Sequence, residues 1–402
     1  MRLARRARIA LALLMLASAP AAGAQTLAQA LEQAWLRYPP AAALEAQGDE
    51  AAARVDLADR VVPGAPSATV AARGDRFHRD DGARKWEMEV GVPIWLPGQQ
   101  AARRSEARAL REEVDARRSL LQWTLSGELR VQWWSVASAR AARELASRRL
   151  DTARQLESDV LRRFESGDLA RFDANLARNE RLAAEAELAQ ATAIVQQHEA
   201  GLRALTGMGV PSALAGETIA TGRLRLEDHP QWRAADAGTR LADAALLATV
   251  KSDRAAPHVA LRMERDRGDR AAPFANSVGV QLSIPFSWEP QLRRQTAAAR
   301  AERSRAGAEL ASIALRLQAA VDSARASLEA AERQMGIART RQALAADNLR
   351  LSERSFALGE TDLTSLLRVR AIALEADLLE ARQRIASDAT RSQLNQALGV
   401  LP

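Results

Sequence analysis

The sequence predicts a mainly α-helical protein with a smaller β part, built as two tandem copies of one plan. Three observations lead there. Residues 99–164 and 291–356 hold no proline and almost no turn signal. Two other stretches, around residues 86–94 and 277–286, alternate apolar and polar residues with period 2. A shift of 192 residues lays Pro93 on Pro285, Phe164 on Phe356, Gly167 on Gly359 and Gly207 on Gly399 without a gap.

The first element is a leader. Arg2, Arg5, Arg6 and Arg8 precede the short apolar run Ile9 to Ala17, and Ala22-Gly23-Ala24 forms a small-residue cleavage site. Residues 1–24 read as a secretory signal, with the mature chain starting at Gln25; the alternative is an uncleaved anchor. No later segment is apolar and long enough for a transmembrane helix, which takes roughly 20 residues. The chain has no cysteine, which excludes a disulfide framework, thiolate metal sites and an acylated N-terminal cysteine. There are 57 basic and 50 acidic residues, and four of the arginines lie in the leader. The small remaining excess is no argument for nucleic acid, and no nucleic-acid partner is expected.

Each proline-free window predicts a helix on the order of 100 Å long at about 1.5 Å per residue. In the second, Leu310, Ile313, Leu317, Val321, Leu328 and Met335 make a heptad-like stripe, with Arg and Glu on the other faces. Aromatic residues are only 4% of the chain, so the packed seams are expected to be thin and lined by small side chains. Breaks at 165–171 and 357–364 are each followed by another helical run. Two helical hairpins result, 99–205 and 291–399.

From Trp86 to Ile94 every even position is apolar and every odd one is polar, Gly or Pro. The run Ser277 to Phe286 repeats the pattern, and weaker strands, Ser67 to Phe77 and Pro257 to Asp266, precede the two. These read as β-hairpins, 67–94 and 257–286, with strands about ten residues long, the length a transmembrane barrel strand needs. Near the start of each half a proline, Pro39 or Pro230, is expected to close a helical run. The halves are 25–216 and 217–402.

Four strands cannot close a barrel, and open edges in lipid leave backbone groups unsatisfied. The chain must therefore oligomerise to close the sheet. Three copies give twelve strands; two give eight, a barrel filled with side chains rather than open.

The leader, the opening Leu27-x-x-Ala30-Leu31-x-x-Ala34…Tyr38-Pro39 and the twice-used Phe-x-x-Gly break resemble the TolC family over the whole mature chain. In length and in lacking a C-terminal extension, the sequence looks closest to the CzcC-like branch, which serves heavy-metal efflux pumps. The resemblance implies a homotrimer: a coiled-coil barrel of helical hairpins under a 12-stranded outer-membrane β-barrel in lipid. It also implies a tripartite efflux system, exporting small molecules or metal ions through periplasm and outer membrane. The partners would be a periplasmic adaptor (membrane fusion) protein and an inner-membrane pump of the RND type.

In the family the hairpin tips meet the adaptor. That role is carried here to Ser166, Gly167, Asp168, Leu169, Gly359, Glu360 and Thr361, with plain turn chemistry as the alternative. Phe164 and Phe356 match an aromatic position beside the periplasmic gate. The alternative for both is hairpin packing, expected first of Phe164. Asp173 matches the family's acidic position six residues after Gly, but its counterpart is Ser365, and Arg368 stands where another acid is common. Asp362 is the substitute carboxylate, or else a solvated tip charge. Glu87 and Glu89 project opposite Trp86 and Met88 and line the lumen if the apolar side faces lipid. Trp86, Trp95 and Trp288 sit near strand ends, as an interfacial girdle would, whereas Trp123, Trp133 and Trp134 are expected to pack.

No catalytic, cofactor-binding or metal-ligating set is expected. His78, His198, His229 and His258 are scattered, and no phosphate-cradling loop appears. The competing reading is a periplasmic adaptor-like coiled-coil scaffold, which the doubled hairpins and dyad strands disfavour.

Overall fold

The computed structural model describes residues 26–78, 80–220, 225–252, 254–286 and 288–402. The signal peptide read at 1–24 lies outside them. In chain order the elements are α1 (Leu27–Arg37), α2 (Pro39–Ala58), β1 (Ser67–Gly74), β2 (Arg84–Pro93), α3 (Gln99–Glu165), α4 (Arg171–Thr206), α5 (Pro230–Lys251), β3 (His258–Arg267), β4 (Ala275–Ser283), α6 (Glu289–Ala357) and α7 (Leu363–Ala397). A 3-10 turn, Leu226–Asp228, precedes α5.

α1 opens with a capping box. The Gln29 backbone N–H donates to Thr26 Oγ1 at 3.3 Å, and the Thr26 N–H donates to Gln29 Oε1 at 3.1 Å. α1 ends at Arg37, just before Tyr38-Pro39, as expected, but both prolines also open helices. Pro39 is the first residue of α2 and Pro230 the first of α5. A first-turn N–H has no intrahelical acceptor, so proline loses nothing there and its fixed φ favours the helix. Pro39 thus opens a second helix, and only a three-residue turn precedes Pro230.

The long windows each fold as one helix, α3 of 67 residues and α6 of 69. Leu317, Leu328 and Met335 of the α6 stripe are buried. The seams are lined by small side chains, such as Ala153 and Ala184 with Leu150, or Ala345 with Ala373 and Ala376.

The chain divides into two compact units. The first takes in the chain up to Tyr38, Gln122–Arg223 and Ala319–Pro402. Its largest core joins Leu27, Leu31 and Ala34 of α1 to Leu125, Leu129 and Trp133 of α3 and Leu202 of α4. Trp133 is fully buried and Trp134 nearly so. Beside them Arg130, 3% exposed, is held by Glu217 at 2.8 Å and by the Val400 carbonyl at 3.0 Å.

The second unit, Pro39–Leu121 with Leu224–Gln318, carries the strands. They form one antiparallel sheet in the order β1-β2-β3-β4, so β2 pairs with β3 and joins the two predicted hairpins. Two strand ends fall short of expectation. β1 stops at Gly74, leaving Phe77 fully exposed, and β4 stops at Ser283, leaving Phe286 90% exposed. Pro285 has no N–H to give a ladder.

Candidate functional site

The sheet has two chemically distinct faces. Register sets Val70, Met88, Met263 and Val278 in one row across the four strands, and Ala68, Val90, Leu261 and Val280 in the next. The large side chains of both rows are at least half exposed, from 50% at Leu261 to 76% at Val280. A continuous apolar surface of this kind is what a lipid-facing barrel wall presents, and such walls alternate it with a polar face in the same two-residue period.

The opposite face carries ion pairs. Lys85 Nζ lies 2.7 Å from Glu87 and 3.1 Å from Glu264, which register sets opposite Glu87. Arg262 donates to Glu89 at 2.9 Å from the neighbouring strand. Cross-strand pairs of opposite charge stabilise a sheet, and here they neutralise carboxylates that would otherwise repel. At Gly91 a Cβ would sit 2.6 Å from His258 Nε2, so a side chain there would displace that imidazole, whose Nε2 lies 3.1 Å from Ser67 Oγ. The sequence located Glu87 and Glu89 on this face; Lys85 and Arg262 went unremarked, although the same alternation carries them.

The helical breaks belong to the first unit. α3 ends in a Schellman motif, with the Gly167 N–H donating to the Phe164 carbonyl at 3.0 Å and the Asp168 N–H to Arg163 at 2.8 Å. α6 ends the same way, Gly359 to Phe356 at 3.1 Å and Glu360 to Ser355 at 2.9 Å. Gly167 has φ of 85° and Gly359 of 76°, backbone that a side chain strains. Ser166 Oγ is 3.0 Å from Asp168 Oδ2, and Ser355 Oγ is 3.2 Å from Glu360 Oε2. Ser166, Gly167, Asp168, Gly359, Glu360 and Thr361 are exposed, and Leu169 is half-buried against the tip core.

Each following helix is capped by one carboxylate, placed differently in the two repeats. Before α4 the cap residue is Ala170, which has no oxygen to offer. Asp173, in the first turn, instead accepts the Ala170 N–H at 3.2 Å. Before α7 the cap is Asp362, which accepts the Ser365 N–H at 2.6 Å. Those bonds from Ser365 hold the Asp362 carboxyl below the usual carboxylate range, with the Arg368 charge adding to the effect. Ser365, the apparent loss of an acid, is compensated three residues earlier.

The two phenylalanines differ, and in the opposite sense to that expected. Phe356 is buried with Leu156, Val160, Leu363 and Leu366, whereas Phe164 is 38% exposed. The packing role belongs to Phe356. Arg163 lies over the Phe356 ring and directs its guanidinium at the Phe356 carbonyl, 3.4 Å away, a contact the sequence did not signal. Arg368 is exposed.

Among the described residues no cluster of His, Cys, Asp or Glu could hold a metal ion, and no helix is long and apolar enough to cross a membrane.

No family model matches the chain. The cobalt-zinc-cadmium resistance protein CzcC of Cupriavidus metallidurans is 26% identical over 211 residues, covering 49% of this chain and 49% of that protein. The chain thus aligns with about half the length of this curated relative. The outer membrane protein VceC of Vibrio cholerae superposes with a TM-score of 0.76 at 16% identity, over 93% of this chain and 96% of that one. CusC, whose crystal structures concern folding and transmembrane channel formation, superposes at 0.77 and 13% identity, over 93% and 92%. At these identities the likeness is one of fold: the doubled helical hairpins and four strands read from the sequence are the fold of these proteins.

Proposed function

We propose that this chain is a TolC-family outer-membrane channel subunit of a tripartite efflux system. The observation that carries the proposal is the sheet: an exposed apolar face, an ion-paired polar face and two unpaired edges, β1 and β4. In lipid those edges must pair with identical neighbours, and three copies make a twelve-stranded barrel whose lumen is lined by Glu87, Glu89 and their partners. The fold shared with VceC and CusC supports the same reading. It leaves the adaptor-like scaffold without an observation in its favour.

The helices form the periplasmic duct. The exposed tips at Ser166–Asp168 and Gly359–Thr361, with Leu169 behind them, dock the adaptor, through which an inner-membrane pump of the RND type drives transport. Around the periplasmic opening, Phe164 and Arg368 present free surface, Asp173, Asp362 and Ser365 fix the helix starts, and Phe356 holds the hairpins together. The likeness to CzcC points to heavy-metal cations as cargo.

The test is to purify the protein from outer membranes in detergent, measure its mass and record conductance in planar bilayers. A trimer that conducts ions is expected. A monodisperse monomer that stays in solution without detergent overturns the proposal.

A further inference from the structure

The ion pairs of the sheet are distributed unevenly between its faces. On the polar face, Lys85 and Arg262 each have carboxylates within 3.1 Å. On the apolar face the same alternation places Arg84, Arg265 and Arg267 at the end nearest the β1–β2 and β3–β4 turns. Arg84 stands directly opposite Arg267, and Arg265 opposite Trp86. Like charges facing each other across a ladder destabilise it. Among the described residues no carboxylate is within ion-pair distance of any of the three. Arg267 gives its Nε–H to the Gly82 carbonyl, and Arg265 and Arg267 both stack on the Phe274 ring, at 4.6 and 4.8 Å. The stacking holds two guanidiniums in place and leaves their remaining N–H groups without a partner among the described residues.

We infer that Arg84, Arg265 and Arg267 form a binding site for the phosphate of a lipid head group at the rim of the apolar face. The inference rests on the channel reading, which puts that face in lipid. The helices leave the sheet from the opposite strand ends, so this rim belongs to the leaflet away from the duct, and the occupant is a phosphorylated lipid of the outer leaflet. Guanidinium suits the task because its planar fork pairs with phosphate oxygens bidentately. The acyl chains of the same lipid would lie along Met88, Met263 and Val90, so one molecule satisfies both the charge and the apolar surface.

The test uses the full-length protein reconstituted into phosphatidylcholine vesicles that contain either diphosphorylated or dephosphorylated lipid A. Lipid retained after detergent extraction is counted by native mass spectrometry. Wild type should retain the diphosphorylated lipid roughly tenfold or more over the dephosphorylated one. The triple variant R84Q/R265Q/R267Q should lose that preference. R265K/R267K, which keeps the charge, should retain part of it, and Arg73→Gln on the polar face should leave it unchanged. Protein that inserts into both vesicles without discriminating overturns this inference and leaves the channel reading standing. Protein that enters neither overturns both.

Discussion

Arg163, in the last turn of α3, lies 5.0 Å from the ring centroid of Phe356, in the last turn of α6, and so ties the ends of the two long helices together. Phe356 fills the core of the tip, whereas its repeat partner Phe164 is 38% exposed. Phe356→Ala should destabilise the tip by about 3–5 kcal/mol. Phe164→Ala should cost less than about 1 kcal/mol. Chemical denaturation of the two variants checks this, and equal losses would contradict the burial difference.

The displaced caps predict an exchange. Asp173→Ala should fray the start of α4, and Asp362→Ala the start of α7, each seen as faster amide exchange in that first turn. Adding Ala170→Asp to Asp173→Ala should restore protection, because the carboxylate then occupies the position Asp362 uses in the other repeat. The Asp362 carboxyl titrates below its ordinary value, so its cap is complete at neutral pH. It is lost only as pH falls through that lowered value.

His229 predicts a second acid response. It caps α5, with Nδ1 accepting the Gln231 N–H at 3.1 Å, and burial pushes its pKa down to about 4 from 6.5. The unfolded chain therefore binds the proton more readily, and stability falls as pH drops from about 7 towards 4. At pH 5 the loss should be about 2 kcal/mol. Hydrogen exchange in the first turn of α5 reports it. His229→Asn, which keeps a capping oxygen, should remove the pH dependence.

Arg130 is a buried charge whose carboxylate partner among the described residues is Glu217, the pair being 3% and 11% exposed. Arg130→Met leaves Glu217 uncompensated and should cost about 3–5 kcal/mol. Arg130→Met with Glu217→Leu should recover much of that loss in a thermal melt. A double variant no better than the single one would mean that the bonds to Val400 and Gln396 matter more than the charge pair.

The elements that are regular over many residues were legible in the sequence. Trp86, Met88 and Val90 announce a half-exposed strand because the side-chain period is two. The silence of proline from Gln99 to Phe164 announces a helix. The cap at Asp362 was not legible as a cap, because it depends on which of two positions three residues apart carries the oxygen. The different fates of Phe164 and Phe356 were hidden for a related reason. Repeat symmetry treats them alike, and only the tertiary placement of Leu363 and Leu366 around one ring separates them. Pairing of β2 with β3 was also invisible, since it joins residues about 170 apart in the chain through backbone groups common to all residues.

The sheet runs β1-β2-β3-β4 in chain order, so its two open margins belong to the outermost strands. In a ring of identical copies every joint is then the same joint, β4 of one subunit against β1 of the next. A subunit damaged at one margin spoils one joint, which is enough to leave the ring open, and a cell making equal amounts of sound and seam-damaged chains would assemble about one intact threefold ring in eight, by random mixing around a closed cycle. Seam mutations should therefore be genetically dominant, whereas core mutations such as Phe356→Ala, which remove only their own chain, should be recessive.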